Sequence, residues 1–140
     1  MFLPFIFSLD LVTKVIFRNA LNFYSGTSNE EEHMTPLNLD ILKKWARAGH
    51  IEWRKHVLQK LAERGLSQRK ILDVLLSGER IRDYADDRPF PSALFLGYDE
   101  GKPLHVVASC DEGSEQVFII TAYEPSLEFF EPDYRTKRKS

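Results

Sequence analysis

The chain has 140 residues, a hydrophobic fraction of 43%, and 19 Lys and Arg against 21 Asp and Glu for a net charge of −2. That is one domain's worth of sequence, long enough to bury a core unaided, and its balance excludes a uniformly basic nucleic-acid binder. The single cysteine, Cys110, excludes an internal disulfide, no CxxC pair offers zinc-ligand spacing beside the four histidines, and a reducing cytoplasm is the expected compartment.

In chain order, "MFLPFIFSLDLVTKVIFRNALNFY" opens on an apolar run that Asp10, Lys14 and Arg18 interrupt well before a bilayer could be spanned. No basic cluster precedes "FLPFIF" and no small-residue cleavage site follows it, so a signal peptide is rejected. The stretch "SNEEEHMTP" back-translates to a purine-rich ribosome-binding sequence just ahead of Met34. Two readings of residues 1–33 stand: translated upstream sequence, with Met34 as the true start, or a genuine amphipathic extension. A membrane contact through residues 2–24 is the weaker third, and no membrane partner is expected. Residues 34–140 are expected to form one domain.

From Thr35 the punctuation is regular. In "TPLNLDILKKWARAGH", Thr35 or Asn38 serves as N-cap, Leu39, Leu42 and Trp45 fall at helical spacing, and Gly49 stops the run. In "HIEWRKHVLQKLAERG" an apolar arc runs from Ile51 through Arg54, Val57, Leu58 and Leu61 to Ala62, with His56 on the opposite arc and Gly65 as the end. Ser67 then caps "SQRKILDVLLSG", which Gly78 stops. After Gly78 the period becomes alternating: "ERIRDY" is a charged strand suited to a sheet edge, "DDRPFPS" a loop, and "ALFLGY", "PLHVVAS" and "QVFIITAY" are strands joined by two glycine-bearing acidic turns. The chain closes on a polar tail, "EPDYRTKRKS".

Helices first and hairpins second predict an α+β fold, with the N-terminal helices on one face of a four-stranded antiparallel sheet. Within "PLHVVASC", Leu104, Val106 and Ala108 alternate with His105, Val107 and Ser109, which places an imidazole on the face away from the helices. If Ser109 pairs with Val117, His105 sits opposite Thr121 on the face that carries Tyr123; a one-residue slip would destroy that arrangement.

From Lys43 to Lys70 nine Lys and Arg face two Glu, about +7 for the segment. This is either solvated helix surface or, with the basic tail, a grip on a phosphate backbone that weakens as salt rises. No HExxH, DxD, GxSxG or glycine-rich phosphate loop is present, and Cys110 beside Asp111 and Glu112 is poorly placed to ionise. Metal-free acid–base chemistry on an already charged substrate remains. RNA cleavage through its own 2′-hydroxyl needs a proton acceptor, a proton donor and a nearby cation, which His, Tyr, Lys and Arg supply without a cofactor.

From about Ile51 to Lys139 the chain resembles the domain of unknown function 4258 family, on His56 followed by Arg64 and Gly65, then Tyr84, Pro89, Pro91, the "PLHVV" strand and the "TAYEP" turn. Phe130 stands where a tryptophan is usual. The family looks similar to the RelE-like group of small ribonuclease toxins, which implies a toxin of a toxin–antitoxin pair that cleaves messenger RNA, ribosome-bound or free, and is neutralised by a cognate antitoxin such as a small zinc-finger protein. The resemblance implies His56 and His105 as acid–base residues, Tyr123 as their orienting partner, and Arg64, Lys137 or Arg138 as phosphate ligands, with no metal and no cofactor. Beside each stands a plainer role: His105 as a core residue bonded to Thr121, His56 as an exposed helix residue, Tyr123 as a packing aromatic, and Arg64 as a stabiliser of its helix end. The competing function is a non-catalytic module that docks a protein or nucleic acid.

Overall fold

The computed structural model describes residues 35–139; the readings of residues 1–33 and of Met34 lie outside it. Three helices, α1 (Leu39–Arg47), α2 (Lys55–Glu63) and α3 (Gln68–Ser77), precede four long strands, β2 (Glu79–Tyr84), β3 (Ser92–Asp99), β4 (Lys102–Asp111) and β5 (Gln116–Tyr123). A short strand β1 (Ile51–Glu52) lies between α1 and α2. Asn38 caps α1 by accepting from the Ile41 N–H, and Ser67 caps α3 by accepting from that of Lys70. Gly49 and Gly65, at φ +82° and +67°, supply the left-handed turns that end the first two helices.

The sheet runs β1-β5-β4-β3-β2, so β2 is an edge, as its charged sequence anticipates. It has five strands rather than the expected four, and it is mixed: Ile51 and Glu52 pair in parallel with Val117 and Phe118, while the other pairs are antiparallel. The arc assigned to one helix from Ile51 therefore begins only at Lys55. The left-handed turn at Gly49 sends the chain along β5, where the Val117 N–H donates to the His50 carbonyl at 2.8 Å.

A second correction concerns register. The hairpin register is one residue off the expected one, with Ser109 facing Phe118 and not Val117, and a bulge between the pairs Val107–Thr121 and Ala108–Ile119 leaves Ile120 extra on β5 and adds one more, so His105 faces Tyr123, not Thr121. On one side of the bulge Val117 turns to the helices; on the other, Thr121 and Tyr123 stay on the outer face with His105.

The core lies between helices and sheet. Leu42, Ala46, Val57, Leu61, Ile71, Val74 and Leu75 meet Ala93, Phe95, Leu104, Val106, Ala108, Val117 and Ile119. Gly97 lets α3 approach β3, since a Cβ there would lie 2.8 Å from a Val74 methyl. The outer face is covered as well. Residues 126–138, which include most of the stretch read from sequence as a polar tail from Glu131 on, fold across it: the Arg138 N–H donates to Phe129 O and the Glu131 N–H to Thr136 O, both at 2.8 Å. Asp133 holds the turn by accepting from the Arg135 and Thr136 N–H groups at 2.9 Å each, and these bonds keep its carboxyl below the usual range.

Candidate functional site: an exposed cleft and a buried histidine

Two separate groups of chemically capable side chains stand out among the described residues, one on the outer face and one where α2 begins. The first centres on His105, which is 0% exposed. Its Nε2 lies 2.6 Å from the Tyr134 carbonyl oxygen and its Nδ1 lies 3.2 Å from the Tyr123 hydroxyl. A carbonyl only accepts, so Nε2 carries the proton, and the bare Nδ1 accepts from the Tyr123 O–H. The rings of Tyr123 and Phe130 meet the imidazole edge-on, with centroids 5.2 and 4.7 Å away. Burial is the main force that lowers the His105 pKa from 6.5 to about 4; the bond to Tyr134 opposes the fall and the Arg82 charge adds to it. Burial likewise pushes the Tyr123 hydroxyl well above its ordinary value. Both ring nitrogens are engaged, and a neutral imidazole pins the C-terminal strap to the sheet.

The predicted phosphate ligands lie apart. The Arg64 Nη1 donates to the Ala122 carbonyl at 3.0 Å, tying the end of α2 to β5. The Arg138 Nε donates to the carbonyls of Leu127 at 2.6 Å and Phe130 at 3.0 Å, and its Nη1 lies 3.3 Å from Glu131, so it staples the strap. Lys137 pairs its backbone with Phe130 and keeps its side chain exposed. Cys110 is buried, its thiol pushed up to about 11 by burial and then by Glu112 and Asp111.

The second group is an open cleft of about 150 Å³ where α2 begins. Its lining comes from Arg54 and His56 at the start of α2, Asp87, Arg88 and Phe90 of the β2–β3 loop, Ser109 of β4 and Phe118 of β5. Phe90 and Phe118 stack with centroids 5.7 Å apart and planes 3° from parallel, and the Arg54 guanidinium lies 5.7 Å from the Phe118 ring centre. Arg54 also meets Glu52 at 3.5 Å in an exposed pair. Asp87, 6% exposed, accepts the Ser92 hydroxyl at 2.6 Å. His56 is exposed and, among the described residues, makes no hydrogen bond or ion pair.

His105 and Tyr123 thus come together, and His56 does not join them. Ser109 and His105 point to the same face four residues apart on β4, roughly 13 Å at the usual rise per residue. Proton transfer needs hydrogen-bond reach or one bridging water, so the two groups are not one reaction centre. Arg54, Arg88, Ser109 and Phe118 had no sequence signal beyond the basic count of the helical segment, because a cleft built from four distant segments exists only in the fold. Among the described residues no cluster of His, Cys, Asp or Glu could hold a metal ion, and no helix is long and apolar enough to cross a membrane.

An α+β domain with helices on one sheet face, a strap on the other and a cationic cleft at one end is the class the geometry defines. The model of a family described as "Domain of unknown function (DUF4258)" matches residues 53–124, 72 of the 140, and the chain belongs to that family. No curated protein and no solved structure matches it.

Proposed function

We propose that the chain is a metal-independent RNA endonuclease of the toxin kind, RelE-like in fold, that acts on messenger RNA in the cytoplasm and is neutralised by a cognate antitoxin such as a small zinc-finger protein. The observation that carries this reading is the cleft in which an exposed imidazole, His56, stands beside Arg54, Arg88 and the Phe90–Phe118 stack. Guanidinium groups suit a phosphate, aromatic faces suit an unstacked base, and an imidazole can take or give the proton. In the step itself the 2′-oxygen bonds to phosphorus and the bond to the 5′-oxygen breaks. His56 takes the 2′-hydroxyl proton, the 5′-oxygen is protonated from solvent, and the ends are a 2′,3′-cyclic phosphate and a 5′-hydroxyl. His105 and Tyr123 hold the strap against the sheet, Arg138 staples the strap, and Arg64 ties the far end of α2 to β5.

Purified protein incubated with single-stranded RNA and a chelator tests the reading. It predicts cleavage with cyclic-phosphate ends that His56→Gln slows on the order of 100-fold, at an unchanged melting temperature. RNA bound but left intact would favour a non-catalytic RNA-binding module, the second reading. The burial of both His105 nitrogens supports that alternative, since it leaves the cleft a single imidazole.

A further inference from the structure

Ser109 is 6% exposed and lines the cleft, yet among the described residues its hydroxyl has no hydrogen-bond partner. Its cross-strand neighbour Ser92, also buried, donates to Asp87 at 2.6 Å. Buried hydroxyls in folded proteins nearly always have a partner, because leaving one unpaired costs the desolvation of the group. A partnerless hydroxyl on a residue that lines a cleft is therefore a donor awaiting an acceptor. The nine-residue helix α2 begins in the same cleft; its N-cap, Arg54, makes no side-chain capping bond, and its first turn contains no acidic residue. The backbone N–H groups of that turn have no acceptor within the helix. Two independent sets of donors thus belong to residues that line one small space, beside Arg54 and Arg88. The carboxylate in the lining, Asp87, has Oδ2 occupied by the Ser92 hydroxyl.

We infer that Ser109 donates to a non-bridging oxygen of an internal RNA phosphodiester seated against the first turn of α2, which sets that phosphate beside His56. This rests on the RNA reading above and adds the subsite that fixes the reacting group. Drug-sized ligands fill pockets of roughly 300–1,000 Å³, so a space of about 150 Å³ encloses a phosphate with its ribose and leaves the base outside, on the Phe90 side. Recognition is then of backbone and of a base's flat face, and sequence preference is weak.

The test is fluorescence anisotropy with a 2′-O-methyl single-stranded RNA, which cannot be cleaved, on the full chain and on Ser109→Ala, beside thermal melts of both. The expected result is binding weakened on the order of 10-fold, with a melting temperature equal to or above that of the parent because an unpaired hydroxyl is gone. Equal affinity in the variant overturns the inference and leaves the RNA reading standing. A lower melting temperature in Ser109→Ala makes the hydroxyl a structural group and also overturns it. Inorganic phosphate that displaces the RNA at matching concentration makes this a free-phosphate site instead, and a parent protein that binds no RNA removes both proposals.

Discussion

On the sheet face that meets the helices the buried cluster is apolar, from Phe95 and Val106 to Val117 and Ile119, whereas the outer face buries Ser92, His105, Ser109 and Thr121 among Leu94, Leu96 and Val107. Apolar contacts are non-directional, so the helix face needs matching volumes and little else. Buried polar groups demand particular partners, so the outer face is held by named bonds: His105 to Tyr134, Ser92 to Asp87 and Arg138 to two carbonyls. The difference teaches where chemistry can reside. The helix–sheet core is apolar, whereas the cleft where α2 begins holds an exposed imidazole, His56, and the Ser109 hydroxyl, which has no hydrogen-bond partner among the described residues.

The largest effect separating the faces is loss of volume on the helix side. Phe95 is 0% exposed, and Phe95→Ala should cost about 4 kcal/mol, read as a fall in the urea midpoint at constant slope. Next comes acid. His105 is neutral in the folded chain with a pKa of about 4, while the unfolded chain protonates it near 6.5. Stability contributed at neutral pH is therefore lost as pH falls from about 6.5 towards 4 and levels off below. At about 1.4 kcal/mol per pH unit, the loss through this group is about 3 kcal/mol. His105→Phe should flatten that slope and cost about 2 kcal/mol at pH 7, since it leaves the Tyr134 carbonyl without the imidazole that donates to it. Stability curves at several pH values check both, and an equally steep acid slope in the variant would move the effect to another group. Smallest is Arg138→Ala, worth about 1 kcal/mol through the lost carbonyl bonds, visible as faster hydrogen exchange in residues 127–138 alone.

The legibility of the sequence follows the same division. Asn38 and Ser67 announce their helices because capping is local, Gly49 marks a helix end for the same reason, and alternation in "PLHVVASC" assigns both faces correctly. Strand β1 is two residues long, too short for periodicity, and it exists through pairing with β5, distant in sequence. The bulge at Ile120 leaves the alternation of "QVFIITAY" looking ordinary while, with the one-residue register shift at Ser109, it moves His105 from Thr121 to Tyr123. The strap defeats sequence reading for a different reason. What docks it is a backbone carbonyl at Tyr134 and a ring at Phe130, and a charged tail advertises neither. Of the candidate residues, His56 lines the cleft, while the imidazole among branched aliphatics that drew attention to His105 marks a pin in the outer face.

The central claim is that the two histidines have divided roles, His56 reactive and His105 structural. Its most direct test is a paired measurement on His56→Gln and His105→Phe: RNA cleavage per folded molecule, and the midpoint of unfolding. The account predicts that His56→Gln loses cleavage and keeps its midpoint, while His105→Phe loses stability and keeps cleavage. Cleavage abolished in a folded His105→Phe and retained in His56→Gln would contradict it.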